Sequence, residues 1–299
     1  MESILLHEVG LRDGLQMESR TVPLEKKVKW TEKLIEANID VIQLGSFVHP
    51  YRVPQMADTD DLFKVMRKIF PHKEMFSGLV LNEKGLERAL DCGVDIISMG
   101  VSASDTHSLK NTRMKTEEAL ERITKMAVNA MDEGKTVQVS VQSAFGCGFE
   151  GKISESRVFN IIDKYLESGI KNISIADTAG HAYPEQVSGM IEEILGMDKD
   201  INLNCHFHNT YGLGLANCIE ALKHDIYSLE TAIAGLGGCP FTKLPAGNVC
   251  TEDLVNYLHR NKIRNDIDLP LLIDIAEEAA NFFERQLPGL VYKAGFVSY

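Results

Sequence analysis

The hexapeptide NCHFHN at 204–209 carries the side chains best suited to chemistry in this chain. Side chains two positions apart on a β-strand point to the same face, so His206 and His208 are predicted to lie together. Two neutral imidazoles on one face form a natural site for a divalent metal ion. A pair of packed or hydrogen-bonded histidines is the structural alternative, and the spacing favours the metal.

Two further segments place an aspartate at the end of a predicted strand: LRDG at 11–14 and ADTAG at 176–180. Each also has an ordinary structural interpretation. Arg12 and Asp13 would form a salt bridge or a turn. Asp177 would cap a helix or close an Asx-turn.

A glycine-rich segment, GLGGCP at 235–240, follows the last predicted strand. Three glycines in four positions indicate a mobile loop. Cys239 at its tip is then either an exposed, reactive thiol or a small buried hydrophobe. Asn248 follows shortly after, either as a residue ahead of a helix or as a carbonyl donor to a metal.

Asp13, His206, His208 and Asn248 together make a mixed nitrogen and oxygen ligand set. Such a set suits Mg²⁺, Mn²⁺, Fe²⁺, Co²⁺ or Zn²⁺. The set contains no thiolate, which argues against a structural zinc site.

Eight short, mostly apolar runs recur between longer amphipathic segments, at residues 4–9, 41–47, 75–81, 95–102, 136–145, 172–178, 202–208 and 228–237. Helical patterns lie between them, for example at 24–37, 117–134, 156–169 and 183–195. This alternation is typical of a closed parallel (β/α)₈ TIM barrel, an α/β fold whose catalytic groups gather at the carboxyl ends of the strands. A doubly wound sheet is the alternative, but its GxGxxG turn does not follow the first run.

The chain contains no low-complexity linker, so we predict one catalytic barrel domain over residues 1–299. Within it, 265–299 is predicted to be a C-terminal helical appendage, because 269–287 has a helical pattern and the tail beyond is broken by Gly and Pro. The sequence leaves open whether this appendage packs near the active site or against a partner subunit.

The composition narrows the function classes. The 299 residues include 31 basic and 43 acidic side chains, for a net charge of -12, whereas nucleic-acid-binding proteins usually have a basic excess. Six cysteines form no CxxC pair, which disfavours a zinc knuckle or a thioredoxin-type motif. The start of the chain lacks the features of a signal peptide, and no apolar run approaches the ~20 residues that span a bilayer. We therefore expect a cytoplasmic protein without nucleic-acid or membrane partners.

Eight segments resemble the 3-hydroxy-3-methylglutaryl-CoA (HMG-CoA) lyase family, within the wider group of metal-dependent barrel lyases and synthases. They are EVGLRDGLQ (8–16), SFVHPYRVPQMAD (46–58), VSASDTHSLKN (101–111), FEGKIS (149–154), ADTAG (176–180), HFHNTYGLGLAN (206–217), AGLGGCP (234–240) and AGNVCTEDLV (246–255). They follow one another in the family's order and span nearly the whole barrel, and the GLGGCP loop is close to a family signature.

The resemblance implies a (β/α)₈ barrel that uses a divalent cation, usually Mg²⁺ or Mn²⁺, and a homodimer. It implies a retro-Claisen cleavage of an acyl-CoA to acetyl-CoA and a β-keto acid. By position, Asp13, His206, His208 and Asn248 match the metal ligands. Arg12 matches an arginine that stabilises the enolate, Cys239 the catalytic loop cysteine, and Asp177 an active-site aspartate, while His206 is also a candidate proton donor.

The sequence departs from the family pattern at several positions near the predicted barrel mouth. Gln43 stands where the family commonly has Glu, and a neutral amide cannot act as a base. Residues 49–52 read HPYR in place of a Ser-Pro-Lys-Trp run. His181 stands where small residues are usual, and Asn209 where Asp is common. We keep Gln43 among the catalytic candidates and expect an acyl group that differs from 3-hydroxy-3-methylglutaryl.

Coenzyme A requires positive and polar groups around its phosphates. Lys110 and Asn111 are the main candidates, with Arg113 and Lys152 as further ones, although solvated surface lysines are an equal alternative. Gln16 and Ser143 complete the predicted substrate-binding set. Two other functions remain open: a related enzyme that acts on another acyl-CoA or runs in the condensing direction, and a non-catalytic barrel that binds CoA esters.

Overall fold

The computed structural model describes residues 4–73, 75–238 and 247–297. Within these residues eight parallel strands pair in sequence order and close into a barrel where β8 pairs with β1. The strands are β1 (Leu5–Glu8), β2 (Val41–Ser46), β3 (Phe76–Leu79), β4 (Ile96–Ser102), β5 (Thr136–Gln142), β6 (Asn172–Asp177), β7 (Asn202–Phe207) and β8 (Ser228–Thr231). The predicted (β/α)₈ barrel is confirmed.

Helices connect the strands on the outside of the barrel. They are α1 (Leu24–Glu36), α2 (Thr59–Ile69), α3 (Glu83–Asp91), α4 (Asp105–Thr112), α5 (Thr116–Asp132), α6 (Glu155–Glu167), α7 (Pro184–Met197), α8 (Gly214–Lys223), α9 (Thr251–Arg260), α10 (Leu269–Phe283) and α11 (Val291–Ala294). In α1 the buried side chains Lys27, Trp30, Thr31 and Leu34 recur at intervals of three and four, which places one helix face on the barrel. Every residue of β2 is buried, as expected of a strand that is covered on both sides.

The chain leaves the carboxyl end of β8 earlier than the pattern predicted. The predicted run 228–237 is a strand only to Thr231, and Ile233–Gly235 then form a 3₁₀ turn in which Ala234 has a φ of 57°. Two buried glutamate side chains stabilise this turn. Glu8 accepts from the backbone N–H of Ile233 at 2.9 Å, and Glu252 accepts from that of Ala234 at 3.0 Å.

The C-terminal segment packs on the barrel at two places. The indole of Trp30 in α1 donates to Glu278 of α10 at 3.0 Å. Beyond α10, the backbone N–H of Gly289 donates to the carbonyl of Ala234 at 3.0 Å, so the tail also braces the turn after β8. The helical segment is confirmed, while its division from a catalytic domain at residue 265 stays a prediction.

Among the described residues, no helix is both long enough and apolar enough to cross a membrane.

Candidate metal centre and active-site cavity

Glu8, which is buried at the end of β1, forms hydrogen bonds to three segments next to the site: the turn after β1, the turn after β8 and the start of α9. Oε1 of Glu8 accepts from the N–H groups of Gly10 at 2.7 Å and Ile233 at 2.9 Å. Its Oε2 accepts from the hydroxyl of Thr251 at 2.5 Å, at the start of α9. Burial raises the pKa of Glu8 to about 7, against the effect of these hydrogen bonds.

Arg12 and Asp13 lie in a π-helical turn, Gly10–Gly14, directly after β1. The guanidinium of Arg12 forms an ion pair with Oδ1 of Asp13. The same oxygen accepts from Nε2 of Gln16 at 2.9 Å. Gly14 lies against Leu236, and a Cβ at position 14 would be only 2.9 Å from the Cβ of Leu236. The turn therefore has no room for a side chain at this position. The predicted salt bridge is therefore present, and it lies at the carboxyl end of the barrel.

His206 and His208 lie together, as the strand period predicted. Their Nε2 atoms are 3.0 Å apart, and Nε2 of His208 is 3.7 Å from Oδ2 of Asp13. One potential ligand atom from each of these three buried residues lies within 4.8 Å of the others. Such convergence of two imidazoles and a carboxylate is the arrangement of a metal site.

Asn248 adjoins this cluster, although it enters from the segment before α9. Its Nδ2 donates to Oδ2 of Asp13 and to the carbonyl of Leu236, both at 2.9 Å. Its Oδ1 is buried and has no hydrogen-bond partner among the described residues. A buried carbonyl oxygen without a partner is costly. A 180° turn of the amide would exchange its NH₂ group and its oxygen, and the oxygen would then face the side of Asp13, where a bound cation would satisfy it. With that turn the four residues fit a divalent metal.

The protonation states of the cluster also suit a cation. Burial opposes the charge of Asp13, but Arg12 and the two histidines outweigh it and hold the pKa of Asp13 well below its usual range. Burial and, to a lesser extent, the neighbouring His206 lower the pKa of His208 to about 4, so this imidazole is neutral at pH 7. A carboxylate and a neutral imidazole are the forms that bind metals.

Sequence reasoning missed Glu230, which lies behind His206. Its Oε2 is 2.7 Å from Nδ1 of His206, and its Oε1 accepts from Gln138 at 2.7 Å and Asn204 at 2.9 Å. Burial lowers the pKa of His206, but hydrogen bonding to Glu230 outweighs it and raises that pKa. A proton on Nδ1 leaves the Nε2 lone pair free toward Asp13 and His208. The signal available in the sequence was a charged residue inside the last predicted strand.

A cavity of ≈ 520 Å³ opens above this cluster. The cluster residues Asp13, His206 and His208 lie on its wall, and the predicted Arg12, Gln16, Lys110 and Asn111 line it as well, together with Arg52 from the segment that departs from the family pattern. Gln43 lies one layer deeper, where its Oε1 accepts a hydrogen bond from Nε of Arg12. The structure thus brings the guanidinium of Arg12, three of the four candidate metal ligands and the candidate CoA contacts to one opening.

Asp177 and Ser143 do not line this cavity, although Asp177 is close enough to His206 for their charges to interact. Asp177 is fully buried and accepts from the N–H groups of His181 at 2.8 Å and Ala182 at 3.1 Å, which closes the turn after β6. Burial raises the pKa of Asp177 to about 7. Ser143 is also buried, and its N–H donates to Thr178 at 2.9 Å. Cys239 lies outside the described residues.

His181 packs away from the cavity wall, with its ring centroid 5.6 Å from that of Tyr211. The other described cysteines, Cys92, Cys147, Cys205, Cys218 and Cys250, are all free and buried. Burial raises the pKa of Cys205 and Cys250 well above the usual thiol range. These two thiols therefore behave as small hydrophobes, as free cysteines usually do.

The chain is similar to known proteins over nearly all of its length. The HMGL-like family model matches residues 3–278. An (R)-citramalyl-CoA lyase of Chloroflexus aurantiacus is 34% identical over 99% of this chain and 96% of that protein. The mitochondrial hydroxymethylglutaryl-CoA lyase of Rattus norvegicus is 36% identical over 96% of this chain and 88% of that protein.

Solved structures agree with these sequence matches. An HMG-CoA lyase from A. baumannii, in complex with coenzyme A and 3-methylmalate, superposes with a TM-score of 0.92 at 37% identity, covering 99% of this chain and 96% of that one. An HMG-CoA lyase from Bacillus subtilis gives the same TM-score at 32% identity over 98% of each chain. The barrel, the buried cluster at its carboxyl end and these similarities together show that the chain belongs to the HMGL-like family and is a lyase.

Proposed function

We propose that this protein cleaves a carbon–carbon bond of a 3-hydroxyacyl-CoA, with HMG-CoA or a close relative as substrate, in a metal-dependent retro-Claisen reaction. The products are acetyl-CoA and a keto acid, which is a β-keto acid when the substrate is HMG-CoA. The observation that carries the proposal is the Asp13–His206–His208 cluster at the base of a cavity, with the guanidinium of Arg12 bonded to one of its members.

Asp13, His206, His208 and Asn248 would hold the divalent cation, with Mg²⁺ or Mn²⁺ favoured. A cation there supplies Lewis acidity, which makes the substrate hydroxyl more acidic. Glu230 supports this ligand set because it keeps the proton of His206 on Nδ1, and Asn248 supports it through a carbonyl oxygen that has no partner among the described residues.

Negative charge builds on the thioester oxygen as the carbon–carbon bond breaks. Arg12 lines the cavity and is fixed by Gln43 on one side and Asp13 on the other, so its charge is already in place before the reaction. Such preorganised charge is the most effective way to stabilise a developing oxyanion. The enolate carbon then needs a proton, for which Cys239 and His206 are the candidates.

The entrance of the cavity suits the charged part of a CoA ester. Arg52 and Lys110 contribute cations there, although the chain as a whole has a net charge of -12. Local positive charge of this kind concentrates an anionic ligand at the opening. We further propose a cytoplasmic homodimer, where the dimer is what the family resemblance of the sequence implies and the cytoplasm is what its composition favours.

The first test is an assay of purified protein with HMG-CoA and Mg²⁺ or Mn²⁺, with acetyl-CoA followed by mass spectrometry. We expect metal-dependent product at turnover rates above about 1 s⁻¹, the usual range for enzymes, and none with EDTA. The matched control is His206→Ala, which removes one ligand and leaves Arg12 in place. A metal-replete wild-type protein that cleaves neither HMG-CoA nor related 3-hydroxyacyl-CoA esters would disprove the proposal.

A further inference from the structure

Gln43 is buried on β2 and uses both ends of its amide. Its Oε1 accepts from Nε of Arg12, and its Nε2 donates to Oγ of Ser98 at 3.0 Å. The guanidinium can only donate hydrogen bonds, so the oxygen end of the amide must face it. Gln43 therefore fixes the plane and the position of the guanidinium.

Gln43 positions Arg12 without neutralising it, because an amide carries no charge. The one anionic partner of Arg12 among the described residues is Asp13. That carboxylate is shared, since its Oδ2 accepts from Asn248 at 2.9 Å and lies 3.7 Å from Nε2 of His208. Positive charge therefore remains on the cavity side of Arg12, and because this side chain is largely buried, water screens its attraction for an anion less than at the surface.

The position of this charge selects among acyl groups. In the proposed reaction the substrate hydroxyl is directed at the Asp13–His206–His208 cluster. A carboxylate on the same carbon as this hydroxyl would lie beside Arg12, because Arg12 is bonded directly to Asp13. Gln43 and Asp13 occupy two of the five N–H donors of the guanidinium, so donors remain for both this carboxylate and the thioester oxygen. A carboxylate side chain at position 43 would repel such a group, whereas the amide of Gln43 does not.

We propose that Gln43 is a specificity-determining positioning residue, and that the preferred acyl group carries a carboxylate on its carbinol carbon. This inference rests on the proposed lyase function and narrows its substrate class. The bond between the carbinol carbon and the thioester α-carbon breaks, and its electron pair goes to the α-carbon. The hydroxyl loses one proton and the α-carbon gains one. The products are acetyl-CoA and a 2-keto acid, with no net oxidation or reduction.

The test compares wild type and Gln43→Glu on two esters with Mn²⁺ present. One is HMG-CoA, whose carboxylate is one carbon away from the carbinol carbon, and the other carries a methyl group and a carboxylate on that carbon. We expect wild type to prefer the second ester in kcat/KM. Gln43→Glu should reduce this preference by about tenfold or more, because it places two like charges side by side.

A second measurement does not depend on turnover. Ligand-observed NMR with EDTA present would compare the binding of pyruvate and acetoacetate to both proteins. We expect Gln43→Glu to weaken pyruvate binding more than acetoacetate binding. The control variant for the kinetic comparison is Gln142→Glu, which adds the same charge to the cavity wall at the end of β5. It should leave the ratio of kcat/KM between the two esters unchanged.

The outcomes separate this inference from the function on which it rests. If wild type turns over HMG-CoA at an enzyme-like rate and prefers it, and Gln43→Glu leaves the ratio unchanged, the inference is wrong and the lyase function stands. If the protein cleaves neither ester with metal bound, both proposals are wrong. A change of preference in Gln142→Glu as large as that in Gln43→Glu would also overturn the role of Gln43.

Discussion

The inner wall of the cavity consists of His206, His208 and Glu230, which lie on or next to β7 and β8. It differs sharply from the rim, which consists of Arg52 on the loop after β2 and Lys110 in α4. The three inner side chains are buried and joined by contacts of 2.7 and 3.0 Å. Both rim cations are exposed, and Lys110 lies 4.4 Å from the ring of Phe149. Arg52 makes no ion pair with another described residue.

This difference assigns different tasks to the two regions. A buried wall whose side chains contact one another holds ligand atoms at fixed positions, which metal binding and oxyanion stabilisation both require. Exposed cations at the rim change the rate of substrate association and its salt dependence more than they change the chemical step. Changes to the inner wall should therefore affect metal binding and stability, and changes to the rim should affect substrate capture.

The largest effect is expected from Glu230→Gln. An amide that keeps its oxygen toward Gln138 and Asn204 must turn its NH₂ toward Nδ1 of His206, and two donors then face each other. His206 can relieve this only by moving its proton to Nε2, the atom that would bind the metal. We expect Mn²⁺ affinity to fall by about 10–100-fold, the usual range for such outer partners, as measured by isothermal titration calorimetry.

The control for this prediction is Ser174→Ala. Ser174 makes the longest contact with Glu230, at 3.4 Å, and does not orient the oxygen that faces His206. We expect its Mn²⁺ affinity to remain within a factor of about two, because a contact of that length contributes little. Equal Mn²⁺ affinities for wild type and Glu230→Gln would contradict the proposed function of the inner wall.

Much of the fold could be predicted because its signals are local. The alternation of apolar runs and amphipathic segments is a property of consecutive residues, and each of the eight predicted runs contains a strand of the barrel. The end of β8 was predicted too late. Ile233 and Ala234 continue the apolar pattern, but Glu8 and Glu252, which are distant in sequence, accept their N–H groups and stabilise a turn.

In the candidate site, too, local sequence signals predict some residues and not others. The proximity of His206 and His208 follows from the strand period, and that of Asp13 follows from the geometry of a barrel. Glu230 was missed because its role depends on facing Gln138 and Asn204 across the barrel interior. No residue next to Glu230 in the sequence indicates such contacts.

A smaller effect, on stability rather than metal affinity, is expected from Glu252→Gln. Burial raises the pKa of Glu252 from 4.5 to about 8. Between these values the folded protein holds a proton that the unfolded chain releases, so this residue lowers stability progressively as the pH rises. Glutamine resembles the protonated acid and does not titrate. We therefore expect the stability of Glu252→Gln relative to wild type to increase from about pH 5 to about pH 8.

Urea denaturation at several pH values would measure this difference, and Glu277→Gln is the matched control because Glu277 is an exposed carboxylate on α10. Glu8 and Asp177, whose pKa values burial also raises, are present in all three proteins, so their effect cancels in the comparison. Parallel stability curves for Glu252→Gln and wild type would show that Glu252 is ionised in the folded state.

The smallest effect is expected at the rim, from Arg52→Met. Arg52 lines the cavity, is exposed and forms no ion pair with a described residue, so its charge is available to a ligand. Its removal should raise KM for a CoA ester by about 3–10-fold with little change in kcat, because uniform binding is lost rather than transition-state stabilisation. The effect should shrink as salt is added, since exposed charges are screened.

The control is Lys68→Met. Lys68 is an exposed cation on α2 that does not line the cavity, so its removal should leave KM unchanged. A large fall in kcat for Arg52→Met at constant KM would instead place Arg52 with the inner wall, and the division between a catalytic wall and a capturing rim would fail at that residue.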